Sequence, residues 1–450
     1  MKTNRPEADA PVAQEDIECT MKELKLERTE ERLTRRTGLV LVDRFGKKID
    51  LANKIDRAFG RPGSNRGMAA SDYVMTLVEM LIDGAMHLED VKDFERDEAY
   101  KLMTGREHYP TSDALGDWLR RKGGKECEEE KKLMTVDAEL INALTKERGK
   151  TLDVDASVIE ADKGDAVYTY KEIRGYQPLL AACPEVGLFI NSRFQHGNEN
   201  TQGDIKSFIE ESIRLVPGTI DTVRIDSVGY NHFVFNYCFE KHLKFTITAD
   251  HDIAVMEKVR KIPESAWEKG KNEDGSNANY DIAETIHTMN NSKDSFRLVV
   301  KRSKRRQVDL LDGEYFYWIV ATNFSRDEKD TQAVIHFHEK RGEMERMIGE
   351  LKNHYNMDHF PCGQFSANSL YFAIGVFTFN LVQLLKQHYF GSEWRTKTLR
   401  SLRYYWFHLP SRLVFHARYM IAKVATSLEP FKQLDEAYLK LANAPAPAST

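Results

Sequence analysis

The sequence has little cysteine and no long uninterrupted hydrophobic run. Its five cysteines are far apart and none forms a Cys-x-x-Cys pair, so neither a disulfide framework nor a zinc ribbon is predicted. The first residues are polar and lack the apolar centre of a signal peptide. The most apolar stretch, residues 370–385, contains polar residues and is short for a membrane span, which favours a buried helix. We therefore expect a cytoplasmic protein with reduced thiols and no membrane contact.

An overall basic charge is also missing, because the net charge is −5. Local charge matters more than the sum for nucleic-acid binding. Residues 395–428 contain seven Lys or Arg, no Asp or Glu, and a run of four aromatic residues. This segment either contacts DNA or covers the core with the apolar stems of its arginines. A second basic cluster, residues 301–306, is expected to be exposed, as DNA-binding, localisation-signal or simply solvated charge.

Two common catalytic patterns are absent as well. The sequence has no Gly-rich loop of the kind that cradles phosphate and no recognisable Ser-His-Asp arrangement. A phosphatase or hydrolase that acts on a small substrate is therefore disfavoured.

Changes in the polar and apolar pattern divide the 450 residues into six segments. The 21–150 region is helical and either binds DNA or only packs as a bundle. The predicted segments are a disordered tail (1–20), the helical region (21–150), the first part of an α/β core (151–251), a β-rich insertion (252–330), the second part of the core (331–390), and a basic helical region whose tail is disordered from Asn443 (391–450).

Two short strands are predicted to carry carboxylates. TLDVDASVIE, residues 151–160, alternates so that Asp153 and Asp155 lie on one face. TVRIDSVGY, residues 222–230, is predicted to be a second short alternating strand, and it carries Asp226. Hairpin-like strands followed by alternating helix and strand predict an α/β domain with a mixed sheet. Taken singly, each Asp is more typical of a loop cap or ion pair than of a metal ligand.

The stretch HEKRGEMERMIGELK, residues 338–352, is predicted as one helix with an apolar stripe that faces a core. Glu345 lies beside that stripe, on a narrow strip shared with His338, Arg341 and Lys352. The group is either a surface ion-pair cluster or a metal ligand flanked by phosphate binders. The stripe consists of Met344, Met347, Ile348 and Leu351.

The outlying carboxylates Asp155, Asp226 and Glu345 could converge. Three carboxylates at one point can hold two divalent metals about 4 Å apart, one to activate the attacking oxygen and one to stabilise the leaving oxygen of a phosphodiester. Mg²⁺ prefers such oxygen ligands. Arg341 and Lys352, one and two turns away, would then bind phosphate oxygens of DNA.

The spacing His338-x2-Arg341-x3-Glu345-x6-Lys352 resembles the Tyr-x2-Arg-x3-Glu-x6-Lys signature of DDE transposases of the insertion-sequence-four superfamily. The chain also resembles transposases of the insertion-sequence-thirteen-eighty family of bacterial insertion sequences. The segments that carry this resemblance are LDVDAS, GYQPLLA, VRIDSVGY, RGEMERMIGELKNHY and FSANSLYF. The likeness runs from about residue 30 to 425.

This resemblance implies an RNase H-like core interrupted by a β insertion. It implies Asp155, Asp226 and Glu345 as catalytic ligands of two Mg²⁺ or Mn²⁺ ions, with Asp153 as a further or alternative ligand. It implies DNA contacts from Arg341 and Lys352, and also from His338, which stands where the family has Tyr. The expected partners are double-stranded transposon-end and target DNA and a second copy of the chain, in a bacterial, nucleoid-associated setting. An RNase H-like nuclease and a DNA-binding protein without catalysis remain as alternatives.

Overall fold

The computed structural model describes residues 26–62, 67–123, 128–145, 149–199, 201–309 and 313–443. The tail predicted at residues 1–20 lies outside the described residues. The C-terminal tail also lies outside them, apart from Asn443, which ends the last helix.

Seven α-helices occupy the described part of residues 21–150, so the predicted helical character is confirmed. A short strand, β1 (Leu33–Thr34), precedes them. Each helix buries an apolar face, and the third is buried over most of its surface. The helices are α1 (Val40–Lys48), α2 (Leu51–Phe59), α3 (Ala70–Asp83), α4 (Val91–Arg96), α5 (Glu98–Thr104), α6 (Ser112–Gly123) and α7 (Glu128–Leu144).

The core contains eight strands and two helices between residues 151 and 248. The strands of its main sheet are largely buried, whereas β3, β4 and β5 each carry an exposed residue. Asn231 caps the second helix by accepting a hydrogen bond from the backbone N–H of Val234. The elements are β2 (Thr151–Ala156), β3 (Ile159–Glu160), β4 (Val167–Tyr168), β5 (Arg174–Tyr176), β6 (Leu179–Cys183), β7 (Leu188–Arg193), α8 (Thr201–Leu215), β8 (Thr222–Ile225), α9 (His232–Glu240) and β9 (Lys244–Thr248).

Five of these strands are adjacent in one sheet, in the order β7-β6-β2-β8-β9. Strands β2, β6 and β7 pair antiparallel, whereas β8 and β9 run parallel to β2. A three-stranded meander followed by two helix-connected parallel strands is consistent with an RNase H-like core. The predicted α/β fold with a mixed sheet is confirmed. A separate small sheet, in the order β3-β5-β4, lies in the connection between β2 and β6.

The β-rich character predicted for residues 252–330 is confirmed, but the insertion continues the core sheet. It consists of α10 (Ile253–Arg260), β10 (Glu268–Lys271), β11 (Asn277–Thr288), β12 (Ser295–Asp309) and β13 (Gly313–Thr322). Strand β13 pairs antiparallel with β9, which extends the sheet to nine strands.

The basic cluster of β12 is less exposed than predicted. Lys301 pairs with Glu339 at 2.7 Å, and Arg302 is buried with its guanidinium against Glu264 and Asp281. Lys304 is exposed but pairs with Glu314 at 3.0 Å, so Lys301, Arg302 and Lys304 each have an acidic partner.

The C-terminal part consists of α11 (Thr331–Glu339), α12 (Gly342–His354), α13 (Phe365–Tyr389), α14 (Leu399–Leu402), β14 (Ser411–His416), β15 (Tyr419–Val424) and α15 (Leu428–Asn443). Helix α13 is long and apolar enough to cross a membrane, but its most apolar window is wholly buried inside the protein, where α3, α6 and α7 pack against it. The basic region predicted to be helical from residue 391 instead contains a β-hairpin, which pairs with β1.

The single helix predicted over residues 338–352 is wrong, because two helices meet there. Helix α11 ends at Glu339, one residue after His338, and α12 starts only at Gly342. The backbone turns tightly between them, with Arg341 N–H donating to the His338 carbonyl and Met344 N–H to the Arg341 carbonyl. Glycine is a poor helix former, which helps the break. The predicted apolar stripe of α12 is buried as expected.

Candidate active site at the sheet edge

Asp155 and Asp226 lie at the same edge of the core sheet. Strands β2 and β8 are parallel neighbours in which Val154 is paired with Ile225, so the two aspartates occupy the next positions at the carboxyl ends. One oxygen of each is held locally: Asp155 accepts a hydrogen bond from the N–H of Ala156 at 3.0 Å, and Asp226 from the N–H of Val228 at 3.1 Å. These bonds fix both carboxylates at the exit of the sheet.

Glu345 approaches from the first turn of α12, and Arg341 lies between it and the strands. The Arg341 Nη2 is 3.4 Å from the Asp155 Oδ2 and 3.9 Å from the Glu345 Oε1. The side chains of Asp155 and Arg341 are mostly buried, whereas that of Glu345 is 63% exposed. Arg341 thus lies between a carboxylate of β2 and one of α12, and its positive charge also acts on Asp226.

The pKa values of the two aspartates show that the carboxylates interact. Burial raises the pKa of Asp155 to about 6, the positive charge of Arg341 opposes the rise, and the negative charges of Asp226 and Glu345 add to it. Burial likewise raises the pKa of Asp226. The positive charge of Arg341 lowers this pKa, and the negative charge of Glu345 raises it. Packing like charges together is costly unless a cation is present. Arg341 supplies that cation here.

The chemistry of these side chains suits a divalent metal, since carboxylate oxygens are the ligands that Mg²⁺ prefers. As the side chains stand, however, no group of three or more His, Cys, Asp or Glu among the described residues is close enough to hold a metal ion. Glu345 has the exposure to turn toward the aspartates. The side chains therefore have the chemistry that Mg²⁺ or Mn²⁺ needs, but not yet the spacing.

Asp153 lies on the same face of β2 as Asp155 but is used differently. Its two oxygens accept hydrogen bonds from Arg224 Nε and Nη2 at 2.7 and 2.8 Å, and the side chains of the pair are 1% and 3% exposed. Both oxygens are occupied by a buried, bidentate ion pair. This placement does not fit the prediction that Asp153 binds metal.

Arg224 is a residue beside the candidate site that the sequence patterns did not single out. Its third nitrogen, Nη1, donates to the Phe337 carbonyl at the end of α11 at 2.6 Å. Arg224 therefore ties β2, through Asp153, to the turn that carries Arg341. A signal for it existed in the two alternating strands, since parallel pairing brings Asp153 opposite Arg224.

His338 does not fit the prediction that it contacts DNA, because it is only 1% exposed. Its Nδ1 and Nε2 are each 2.9 Å from a threonine hydroxyl of β9, those of Thr246 and Thr248. Burial, together with the positive charges of Arg341 and Arg224, lowers its pKa to about 3. His338 is thus a neutral ring that docks the end of α11 onto the sheet.

Lys352 lies at the edge of a groove between α12, the β3-β5-β4 sheet and the N-terminal helices. Its Nζ donates to the Val158 carbonyl at 2.9 Å, three residues beyond Asp155, and burial lowers its pKa. The structure brings Lys352 near the start of the β2–β3 connection. It does not place Lys352 with the three carboxylates.

We expect His338→Gln to change how stability depends on pH. Because the folded-state pKa of His338 is depressed, the native protein loses stability as pH falls below about 6.5, by about 2 kcal/mol between pH 7 and 5. The Gln side chain keeps a hydrogen-bond donor and an acceptor but does not titrate, so the variant does not lose stability in this way as the pH falls. The variant should be about 1 kcal/mol less stable at pH 7 and no less stable at pH 5, measured by urea unfolding. A difference between the two proteins that does not change with pH would contradict the neutral, buried assignment.

A family model described as "Transposase DDE domain group 1" matches residues 18–446. A cryo-EM structure of a piggyBac transposase synaptic complex with hairpin DNA is similar over 84% of this chain and 82% of that chain, at 11% identity and a TM-score of 0.44, values too low to support an argument. No protein with a curated function matches the sequence.

Proposed function

Because the chain belongs to the DDE transposase family described as group 1, we propose that it is the transposase of a bacterial insertion sequence of the insertion-sequence-four superfamily, in the insertion-sequence-thirteen-eighty group. It would bind the terminal inverted repeats of its element, hydrolyse the phosphodiester at each end to free a 3′-OH, and use that 3′-OH to attack target DNA. The observation that supports the proposal is the placement of Asp155 and Asp226 at neighbouring strand ends, with Arg341 between Asp155 and Glu345.

In this proposal Asp155, Asp226 and Glu345 would hold two Mg²⁺ or Mn²⁺ ions. When bound, the ions would activate the attacking oxygen and stabilise the leaving oxygen. The chain itself supplies carboxylates that are fixed at the sheet edge by backbone N–H groups. Cleavage and strand transfer are both in-line phosphoryl transfers, so one site can serve both steps.

Arg341 has a second part in the proposal. A guanidinium binds carboxylate and phosphate oxygens in the same bidentate geometry. Arg341 balances the charge of Asp155 and Glu345 as they stand, and it would move to a phosphate oxygen of the bound strand when cations take over that balance. Lys352, at the rim of the neighbouring groove, would contact the same strand farther along.

The reaction needs two transposon ends at one place, so we propose a homodimer on DNA as the active assembly, in the cytoplasm and associated with the nucleoid. The rivals are an RNase H-like nuclease and a DNA-binding protein that has lost catalysis. Each predicts a different product from the same DNA.

The decisive experiment mixes the purified protein with a linear duplex that carries the element's own end, a supercoiled target plasmid and Mg²⁺. Cleavage at the end together with joined plasmid products supports a transposase. Cleavage without joining identifies a nuclease. Binding that is equal with and without Mg²⁺, and no cutting, identifies a DNA-binding protein without catalysis.

Binding to the end duplex should depend strongly on salt. Each neutralised phosphate releases counterions, so an interface with 6–10 phosphate contacts loses roughly 10³-fold or more in affinity between 50 and 200 mM salt. A gel-shift titration over that range measures the slope. An affinity that stays constant across the titration would rule out an interface dominated by phosphate contacts.

A further inference from the structure

The acid-free segment 395–428 is divided by the structure into two parts with different surroundings. In the first part, Trp406 and Phe407 are buried. Arg403 donates hydrogen bonds to the carbonyls of Leu81, Ile82 and His354 at 2.6–2.7 Å. Arg403, Trp406 and Phe407 therefore cover the core, whereas Tyr404 and Tyr405 remain exposed.

The second part is a β-hairpin that projects its far end into solvent. Strands β14 and β15 pair from Ser411 opposite Val424 to His416 opposite Tyr419, which leaves Ala417 and Arg418 as a two-residue turn. Ala417 has a left-handed φ of 53°, as the tight turns of such hairpins require. Only β14 has a second neighbour, the short β1, so β15 is a free edge.

The two faces of the hairpin differ in charge. Paired residues share a face and successive residues alternate between faces. The face that carries Ser411 and Leu413 is buried at its base against the protein. The opposite face, called the outward face below, consists of Arg412, Val414, His416, Tyr419, Ile421 and Lys423.

The outward face is cationic and aromatic. Tyr419 is 73% exposed, and Arg412 pairs with Glu31 at 2.6 Å. Lys423 and the turn residue Arg418 are exposed, and neither forms an ion pair with another described residue. Two unpaired cations beside an exposed aromatic ring are typical of a nucleic-acid contact.

We infer that this hairpin is a β-ribbon that enters the major groove of duplex DNA. The inference rests on the proposed function for its biological setting, although the surface argument is separate. The major groove is wide enough for a two-stranded ribbon. Arg418 and Lys423 bind phosphates on either side of the groove, and Tyr419 faces the base edges.

A second copy of the chain is a poorer occupant for the same surface. A two-fold interface places a patch against itself, so Arg418 and Lys423 would face their own like charges. Like charges placed opposite each other are destabilising. DNA supplies the opposite charge along the whole ribbon.

The test compares two double variants that remove the same charge. R418A/K423A removes the unpaired cations of the ribbon, and K432A/K440A removes two exposed lysines of α15. The probe is a short duplex of mixed sequence, titrated between 50 and 200 mM salt. Losing two phosphate contacts should lower the salt slope by ~2, so the native protein should lose roughly tenfold more affinity over that range than R418A/K423A. K432A/K440A should keep the native slope.

Two further measurements make the result specific. Guanine N7 lies in the major groove, so bound native protein should protect it from dimethyl sulfate and R418A/K423A should not. A native salt slope in R418A/K423A would overturn the inference. The inference would also be overturned if R418A/K423A changed only the oligomeric state measured by sedimentation, because that result assigns the surface to a second copy.

Failure of the proposed function leaves a different pattern. Suppose that the protein never cuts or joins DNA, but that the salt slope of duplex binding still falls in R418A/K423A. This result contradicts the transposase proposal and supports the ribbon. End cleavage and joining by a protein whose slope is the same in both variants contradicts only the ribbon. Melting curves that match the native protein confirm that both variants fold.

Discussion

Glu345→Gln is expected to abolish cleavage of the end duplex while leaving duplex binding intact. The amide keeps the shape of the side chain but removes the charge that a divalent ion needs. Loss of several kcal/mol of transition-state stabilisation corresponds to at least about a thousandfold in rate. Because the side chain is 63% exposed, the variant should fold normally. The measurements are nicking of a labelled end and a gel shift with the same duplex.

Glu343→Gln is the matched control, since Glu343 lies two residues away in the same turn of α12 and is exposed. It faces a different groove, lined also by Arg346 and Glu350, and should cut at the native rate. Equal activity in Glu345→Gln and the native protein would remove Glu345 from the catalytic site. Equal loss in both glutamate variants would indicate a general effect of charge on α12.

Asp153→Asn is expected to destabilise the protein strongly. It removes the anionic partner of Arg224, whose side chain is 3% exposed, and breaking a buried ion pair in this way costs about 3–5 kcal/mol. That is a large part of the 5–15 kcal/mol that is typical of a folded domain. The same change should loosen the contact from Arg224 to the end of α11, so Arg341 would lose part of its support. Thermal and urea unfolding measure the effect.

Asp155→Asn supplies the contrast from the same face of the same strand. Burial raises the pKa of both aspartates to about 6, but Asp155 has no bidentate partner: its Oδ2 is 3.4 Å from Arg341 Nη2, and its Oδ1 accepts one backbone hydrogen bond. A neutral amide should therefore leave stability unchanged or higher, while cleavage is lost. If Asp155→Asn unfolded the protein and Asp153→Asn only removed activity, the two roles would have to be exchanged.

The two aspartates also show where sequence reasoning reached its limit. Alternation in TLDVDASVIE correctly predicts a strand with both carboxylates on one face. Alternation does not predict which residues contact that face. Arg224, 71 residues away, arrives by parallel pairing of β2 and β8, and only then does Asp153 become a buried ion pair.

The turn between α11 and α12 is a second such limit. Helical spacing places His338, Arg341, Glu345 and Lys352 on one strip, but the spacing assumes an unbroken helix. The helix ends at Glu339, just after His338, whose ring is buried against Thr246 and Thr248. A motif that matches at three of four positions, with all spacings kept, therefore does not place the four side chains at one site.

By itself, the sequence determined the local structure: the helical N-terminal region, the alternating strands, the apolar stripe of α12, the buried α13, and the resemblance to DDE transposases that the family match supports. These follow from periodicity and motif spacing, which depend on near neighbours in the chain. Only the tertiary structure decided which charges are buried, which residues surround Arg341, and which half of segment 395–428 projects into solvent. Burial and charge pairing depend on residues far apart in the chain, and only the folded sheet brings those residues together.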